Sequence, residues 1–257
     1  MEYEFVTTEK RGNVLLVTMN RPDVYNAVHA PMHHEMDAVW NDFAADDDLW
    51  VAILTGAGKA FSAGNDLKYT AQGGTGKPPA SGFGGLSMRG DLEKPVIAAV
   101  NGFAMGGGFE MALNCDIILA ADTAKFALPE VKVGFFAAAS GVQLLSRQIG
   151  RKPAVEIMLT GRHVMAEEGR ELGFVNQVVA PDQLMEAAFA KAAELTAVSP
   201  SAIKATKRVL NAMDELDNLH ASLQYSRQVI MDLRETEDFK EGVTAFVEKR
   251  APQWKNR

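Results

Sequence analysis

The chain has 257 residues, of which 47% are hydrophobic and 23% charged, and its formal net charge is −7 at pH 7. This size and composition are typical of a globular protein with one large domain, or one domain and an appendage. An acidic chain is a poor match for nucleic acid or an anionic membrane as the main partner.

The chain also lacks the usual signals of export. The first ten residues, MEYEFVTTEK, have neither the basic start nor the apolar core of a signal peptide. No apolar run approaches the roughly 18 residues of a membrane span. The single cysteine, Cys115, excludes an intramolecular disulfide and favours a reducing compartment. We therefore expect a cytoplasmic protein with no membrane partner and no nucleic-acid partner.

Hydrophobic patterning predicts alternating strands and helices in the first two thirds of the chain. Residues 14–20 predict a strand, and residues 31–43 carry apolar side chains at helical spacing. Further strands are predicted at 50–56, Val96–Val100 and Ile117–Ala121. Such alternation is typical of an α/β fold with a largely parallel, covered sheet.

Two other regions differ in composition. Residues 73–85, GGTGKPPASGFGG, contain six glycines and two prolines and predict a loop without regular structure. A lid or binding loop and a disordered insertion explain this loop equally well. From about residue 182 the pattern is helical throughout, with helices predicted at 182–197, 200–213, 216–233 and 237–249. We therefore predict an α/β core over residues 1–195 and a C-terminal helical segment over 196–257.

Two motifs are near matches to known sites. His33, His34 and Glu35 lack the second histidine four residues on that a zinc site on a helix needs, so we expect a solvated helix face and no metal. Residues 60–64, AFSAG, nearly match the nucleophile elbow of the α/β-hydrolases, with Ser62 as the serine. Because alanine replaces the first glycine, a serine hydrolase is the weaker hypothesis.

The segment AMGGGFEMAL, residues 104–113, is the most informative stretch. Three glycines precede Glu110 at the start of an apolar helix, although each costs about 1 kcal/mol relative to alanine in a helix interior. Bare backbone at a helix N-terminus lets a negatively charged oxygen reach unpaired N–H groups. Tight packing on the strand Val96–Val100 would explain the glycines as well. Glu110 favours the functional explanation, because an acid is costly to bury without a purpose.

Three segments together identify a resemblance to a known family. They are AFSAGNDLK (60–68), PVIAAVNGFAMGGGFEMALNCDIILAA (95–121) and AKFALPEVKVG (124–134). In their order and spacing the chain resembles the enoyl-CoA hydratase/isomerase (crotonase) superfamily, from about Glu4 to the C-terminus. The resemblance implies a core of repeated ββα units with helices at the C-terminus, assembled as a trimer or a dimer of trimers. It also implies an acyl-CoA thioester as substrate, with no separate cofactor, because coenzyme A is part of that substrate.

The resemblance assigns roles to four residues. The backbone N–H groups of Asn65 and Gly107 would form an oxyanion hole that stabilises an enolate at the thioester carbonyl. Glu110 would be the base toward water, and Glu130 would donate the C2 proton. Since the family's hydratases carry both acids, we expect an enoyl-CoA hydratase, or a dehydratase that runs the same step in reverse.

Further residues are expected to hold the substrate. The segment AFVEKRAPQW (245–254) resembles the family's tail, and the residues expected to contact CoA are Ala63, Asp66, Leu67, Lys68, Phe246 and Lys249. The tail is expected to act in the family's manner from a neighbouring subunit. The solvated end of the last helix is the alternative explanation for Lys249 and, more strongly, for Arg250.

The chain departs from the family after Gly134. The family usually has a proline and a pair of glycines there, whereas this chain has FFAAASG, residues 135–141. Phe135 and Phe136 are therefore expected to shape the acyl pocket together with the 73–85 loop, and with Ser140 they argue against the usual short-chain substrate. A double-bond isomerase and an aromatic acyl-CoA hydratase or lyase remain as alternatives within the family. Outside it, the alternatives are the serine hydrolase and a binding protein that has lost catalysis.

Overall fold

The computed structural model describes residues 3–74, 77–213, 216 and 218–257. The strands of this part are β1 (Val6–Arg11), β2 (Val14–Met19), β3 (Val51–Gly56), β4 (Ala60–Ser62), β5 (Val96–Val100), β6 (Phe103–Met105), β7 (Ile117–Ala121), β8 (Lys125–Ala127), β9 (Val164–Met165) and β10 (Gln177–Val179). Its α-helices are α1 (Ala30–Ala45), α2 (Leu67–Ala71), α3 (Gly107–Asn114), α4 (Gly141–Ile149), α5 (Arg151–Thr160), α6 (Ala166–Leu172), α7 (Leu184–Thr196), α8 (Pro200–Met213), α9 (Leu219–Glu235) and α10 (Glu237–Glu248).

A ββα unit recurs along the first part of the chain. Its copies are β1–β2–α1, β3–β4–α2, β5–β6–α3 and β7–β8–α4. In the last three copies the first strand joins a six-stranded sheet of order β1-β2-β3-β5-β7-β10, and the second joins a four-stranded sheet of order β4-β6-β8-β9. This arrangement confirms the predicted α/β fold of repeated ββα units.

The larger sheet is parallel from β2 to β10, and only β1 pairs with it in the antiparallel direction. Helix α1 covers one face with Met36, Trp40 and Phe43, and α7 covers the other with Leu184 and Ala188. Burial on both faces explains why β3, β5 and β7 are nearly continuous apolar runs.

The smaller sheet positions the site. Strands β4, β6 and β8 are parallel neighbours, so the segments that follow them leave the sheet at the same edge. Asn65 follows β4, Gly107 follows β6 and Glu130 follows β8. The carboxyl ends of parallel strands are the usual place for a ligand in α/β proteins.

The glycine-rich segment differs in part from the prediction. Residues 75 and 76 lie outside the described residues, and residues 77–82 have no regular structure, as expected. Phe83–Gly85, in contrast, form a buried 3-10 turn against α1, so the prediction of a loop was wrong for these three residues. They pack because Phe83 supplies a large apolar side chain, which a prediction based on the number of glycines does not take into account.

The C-terminal helices follow the prediction closely. Helix α8 has the predicted bounds, and α7, α9 and α10 differ from theirs by one to three residues. Helix α8 is held to the core by ion pairs of Arg208 with Glu93 and of Lys207 with Asp116, each at 2.7 Å. The division near residue 195 stays a prediction. Across the described ranges, no helix has the length and apolarity that a membrane crossing requires.

Candidate active site

Two glycines at the start of α3 allow close contacts that a side chain would block. A Cβ on Gly107 would lie 2.4 Å from Cζ of Phe83, and a Cβ on Gly108 would lie 2.3 Å from the carbonyl oxygen of Ser62. Close packing on β4 therefore requires glycine at position 108. From the sequence alone, such packing was considered against β5 instead. Packing explains Gly108, while Gly107 lies beside an aromatic ring at the helix N-terminus.

Two backbone amides meet at this helix end. A Cβ on Gly64 would lie 3.0 Å from the nitrogen of Gly107, which places the β4 segment against the first turn of α3. Gly64 has φ +85°, a conformation that favours glycine, and the turn presents Asn65 next. In the part of the chain that the structure describes, neither the N–H of Asn65 nor that of Gly107 has an acceptor. An oxygen that bears negative charge could accept from both.

Glu110 lies one turn further along α3 and is almost completely buried, at 3% exposure. Its Oε1 accepts the N–H of Gly141 at 2.8 Å. Burial raises the pKa of Glu110 to about 7, an effect that the charge of Glu130 reinforces and the N–H of Gly141 opposes. A carboxyl group with such a pKa can exchange a proton near neutral pH.

Glu130 lies beside the same helix end. A Cβ on Gly106 would lie 2.8 Å from Oε1 of Glu130, and Gly106 has φ +52°, so glycine meets both demands. Oε2 of Glu130 is buried and has no hydrogen-bond partner among the described residues. Burial raises the pKa of Glu130 as well. The structure thus brings the two predicted acids and the two predicted amides together.

Phe83 is a site residue that the sequence did not predict by itself. Its ring tip contacts Gly107. The backbone of Phe83 and Gly84 is fixed at two points: the N–H of Phe83 donates to Oγ of Ser87 at 2.7 Å, and the carbonyl of Gly84 accepts from Nε1 of Trp40 at 3.0 Å. The signal was the single phenylalanine within a run of small residues. Phe83 therefore forms a wall next to one of the two free amides.

His33 supports that wall, and the expectation of a solvated face was wrong for it. The ring is buried and edge-on to Phe83, with centroids 4.5 Å apart. Burial lowers the pKa of His33 to about 4, so the ring is neutral and Nδ1 accepts the N–H of Gly84 at 2.9 Å. His34 is exposed, as expected. The described residues contain no group of three or more potential metal ligands.

Ser62 is not placed to act as a nucleophile. Its side chain is completely buried, its hydroxyl donates to the carbonyl of Asn26 at 2.8 Å, and it accepts the N–H of Gly64 at 3.1 Å. The hydroxyl holds the turn that presents Asn65. This arrangement contradicts the serine-hydrolase alternative.

The segment predicted to contact CoA is mostly exposed. Ala63, Leu67 and Lys68 have exposed side chains beside Asn65. Asp66 is different: its carboxylate is buried, caps α2 by accepting the N–H of Tyr69 at 2.9 Å, and pairs with Arg21 at 3.0 Å. Burial disfavours the charged form, but these two partners outweigh it and lower the pKa of Asp66. The carboxylate of Asp66 therefore has a structural role, and its contact with CoA stays a prediction.

The predicted tail residues lie at the end of α10. Phe246 is 85% exposed, and Lys249 is exposed and ends the helix in the left-handed conformation. In the described ranges Lys249 has no ion-pair partner, whereas Arg250 pairs with both Glu241 and Glu248. The ion pairs explain Arg250, and Lys249 is available to a ligand.

Phe135 and Phe136 are exposed by 66% and 60% and stack on each other with centroids 6.0 Å apart. The N–H of Phe135 donates to the carbonyl of Glu130 at 3.0 Å, so the pair begins next to an acid of the site. Their role in an acyl pocket stays a prediction.

The comparisons with known proteins agree with this geometry. A family model described as "Enoyl-CoA hydratase/isomerase" matches residues 9–257. A "Probable enoyl-CoA hydratase" of Rhizobium meliloti (strain 1021) is 40% identical, with 100% of both chains covered. The "Mevalonyl-coenzyme A hydratase SIDH" of Beauveria bassiana (strain ARSEF 2860) is 43% identical over 95% of this chain and 92% of that protein.

Solved structures share the fold over the same length. The crystal structure of enoyl-CoA hydratase from Mycobacterium tuberculosis H37Rv matches with a TM-score of 0.94 and 37% identity, covering 98% of this chain and 99% of that one. Because the family model, the relatives and the structure each span nearly the whole chain, the protein belongs to the enoyl-CoA hydratase/isomerase family.

Proposed function

We propose that the protein is an enoyl-CoA hydratase, which adds water across the C2–C3 double bond of an acyl-CoA thioester or runs the reverse dehydration. One observation carries the proposal: two carboxyl groups with raised pKa values, the buried Glu110 and the half-buried Glu130, lie beside two backbone amides without acceptors in the described part of the chain. The names of the relatives support it.

In this mechanism the thioester oxygen accepts the N–H groups of Asn65 and Gly107. Ionised Glu110 takes a proton from water, whose oxygen bonds to C3. The electron pair of the C2–C3 double bond moves onto C2 and the thioester, giving an enolate. Donors that are already in place for this charge are worth about 10²–10³ in rate each. Protonated Glu130 then delivers its proton to C2, and proton exchange with water restores both acids.

The alternatives within the family differ in what they ask of the acids. An isomerase moves one proton along the acyl chain and needs no activated water. An aromatic acyl-CoA hydratase or lyase needs room for a ring, and the exposed pair Phe135 and Phe136 could stack on it. The proposal favours the hydratase because both acids are present and burial raises the pKa of each.

We also propose the setting in which the enzyme works. It is a cytoplasmic homotrimer or a dimer of trimers, with no cofactor other than the coenzyme A of its substrate. Apolar side chains exposed on α9 and α10, among them Leu219, Leu223 and Phe246, support an assembly through the C-terminal helices.

The test is hydration of enoyl-CoA thioesters of graded chain length and branching, followed by the loss of the ultraviolet absorbance of the conjugated thioester. Glu110→Gln and Glu130→Gln are each expected to reduce kcat by about 10²–10⁴ while the thioester still binds. Gln keeps the size of each side chain but can neither accept nor release the proton.

Glu186→Gln is the matched control, because Glu186 is an exposed carboxylate on α7, a helix outside the site. Its activity is expected to equal that of the wild type. Near wild-type hydration by either site variant would contradict the two-acid mechanism. Activity on 3-enoyl thioesters without hydration of 2-enoyl thioesters would favour the isomerase.

A further inference from the structure

Ser140 has a backbone conformation that is unusual for its residue type. Its φ is +91° and its ψ is −6°, in the left-handed region, immediately before α4. A residue with a Cβ is strained there, whereas glycine is not. A retained strain next to a site calls for a compensating interaction of the side chain.

The side chain of Ser140 makes such an interaction. Nδ2 of Asn114, the last residue of α3, donates to Oγ of Ser140 at 2.6 Å. The same Nδ2 donates to the carbonyl of Glu110 at 2.7 Å. One amide group therefore ties the backbone of Glu110 on α3 to the residue that precedes α4.

The next residue, Gly141, completes a closed arrangement. Its N–H donates to Oε1 of Glu110 at 2.8 Å. A Cβ on Gly141 would lie 2.9 Å from that oxygen and 2.8 Å from Cβ of Ala137, so no side chain fits there. Both the backbone and the carboxylate of Glu110 are thus tied to the Ser140–Gly141 peptide region.

We propose that Ser140 and Asn114 are positioning residues, and that their hydrogen bond holds the Gly141 N–H against the carboxylate of Glu110. The proposal rests on the proposed role of Glu110 as the base. If the bond is removed, the Gly141 N–H moves away from the carboxylate of Glu110. The carboxylate can then rotate away from the orientation in which it faces the substrate. A small displacement of a reacting group is costly, about 10²-fold for 1 Å.

The same bond bears on the charge of Glu110. The N–H of Gly141 and, more weakly, that of Ala139 stabilise the ionised carboxylate against burial and against the charge of Glu130, which is the charged group acting on Glu110 within the described residues. Loss of the N–H therefore disfavours the ionised base. The activity of the variants is expected to require a higher pH than that of the wild type.

The experiment is a double-mutant cycle measured by pH profiles of hydration. Ser140→Ala removes the hydroxyl and keeps the backbone strain, whereas Ser140→Gly removes both. The other variants are Asn114→Ala and the double variant that combines Ser140→Ala with Asn114→Ala. Each single variant is expected to lower kcat about tenfold and to shift the acidic limb of kcat upward by about half a pH unit, with KM within about twofold. The double variant is expected to be no worse than the singles.

Ser146→Ala is the matched control, because Ser146 lies on α4 and, among the described residues, its hydroxyl donates only to carbonyls of that helix, those of Val142 and Gln143. It is expected to leave kcat and the pH profile unchanged. If Ser140→Gly retains the wild-type kcat and profile, the hydroxyl has no positioning role and the proposal falls.

Two other results would overturn the proposal. One is a lower melting temperature in the variants with unchanged kcat and pH profile, which would mean a purely structural role. The other is full additivity in the double variant, which would mean that the two side chains act independently. Glu110→Gln is measured in parallel: if it is active, the proposed function fails, whereas inactive Glu110→Gln with unaffected Ser140 variants refutes only this inference.

Discussion

At the scale of single residues, Glu110 is subject to two opposing demands. The base must be ionised to accept a proton from water, but burial raises its pKa to about 7. The fraction of ionised Glu110 therefore increases as the pH rises through about 7. Burial is what makes the group both reactive near neutral pH and costly to the fold.

That cost predicts a pH-dependent stability. The folded-state pKa of Glu110 lies above its ordinary value of about 4.5, so its stabilising contribution is complete below pH 4.5 and is lost as the pH rises through 7. At about 1.4 kcal/mol per pH unit, the loss between pH 4.5 and pH 7 amounts to about 3.5 kcal/mol, of which about 2.5 kcal/mol falls between pH 5 and pH 8. Glu110→Gln, whose amide oxygen can still accept the Gly141 N–H, is therefore expected to gain that stability relative to wild type between pH 5 and pH 8.

Urea unfolding at pH 5 and pH 8 measures the free energy of unfolding of each variant. The exposed-site variant Glu186→Gln is the control, and its free energy of unfolding is expected to differ from that of the wild type by about the same amount at both pH values. A stability difference between Glu110→Gln and wild type that does not change with pH would mean that Glu110 is ionised in the fold at both values.

The sequence predicts single residues unequally. Glu110 is visible in the sequence as an acid in an apolar helix, whereas Glu130 follows from the resemblance of its segment to the family. The roles of Phe83 and Ser140 depend on contacts across the fold: Phe83 lies against Gly107, and Ser140 bonds to Asn114. The neighbouring sequence marks Phe83 as the one large side chain of its run, but it does not indicate what Phe83 or Ser140 contacts.

At the scale of elements, predictability follows strand length and burial. Strands β5 and β7 have their predicted bounds, because a strand buried on both faces is a continuous apolar run. Strands β4, β6 and β8 have three residues each, too few to show a pattern, and they exist because they pair with one another. The edge of this smaller sheet carries the site, and only the family resemblance predicts it.

The 3-10 turn Phe83–Gly85 yields a prediction about substrate choice. Because the ring of Phe83 contacts Gly107, it is expected to limit the acyl group near the thioester. Phe83→Ala is expected to shift the ratio of kcat/KM between branched and linear enoyl-CoA substrates by about tenfold in favour of the branched ones. The ratio is independent of the fraction of folded enzyme, so a loss of stability does not affect it.

Phe135→Ala and Phe136→Ala are the variants with which Phe83→Ala is compared. Both rings are mostly exposed, so these variants are expected to change substrate ranking more than stability. If Phe83→Ala leaves the ranking of linear and branched substrates unchanged, the ring is packing only. An unchanged ranking in the other two variants would remove Phe135 and Phe136 from the acyl pocket.

At the scale of the whole molecule, the C-terminal helices present apolar side chains on their outside. The ring of Phe246 is 85% exposed, which is typical of an apolar side chain that contacts a ligand or a second chain. Lys249 lies one helical turn beyond it, at the point where α10 ends. The two side chains can therefore meet a ligand or a neighbouring subunit together.

Lys249 gives the last prediction. The CoA nucleotide carries several phosphate charges, and in the described residues Lys249 is a cation without an ion-pair partner, so it can bind them. Lys249→Ala is expected to raise KM for CoA thioesters about tenfold and to leave kcat nearly unchanged, because binding remote from the chemistry is lost. Lys240→Ala, on the same helix, is the control and keeps the wild-type KM. The effect is expected to vanish with a pantetheine thioester, which lacks the nucleotide. Equal losses on both thioesters would show that Lys249 acts through folding or assembly.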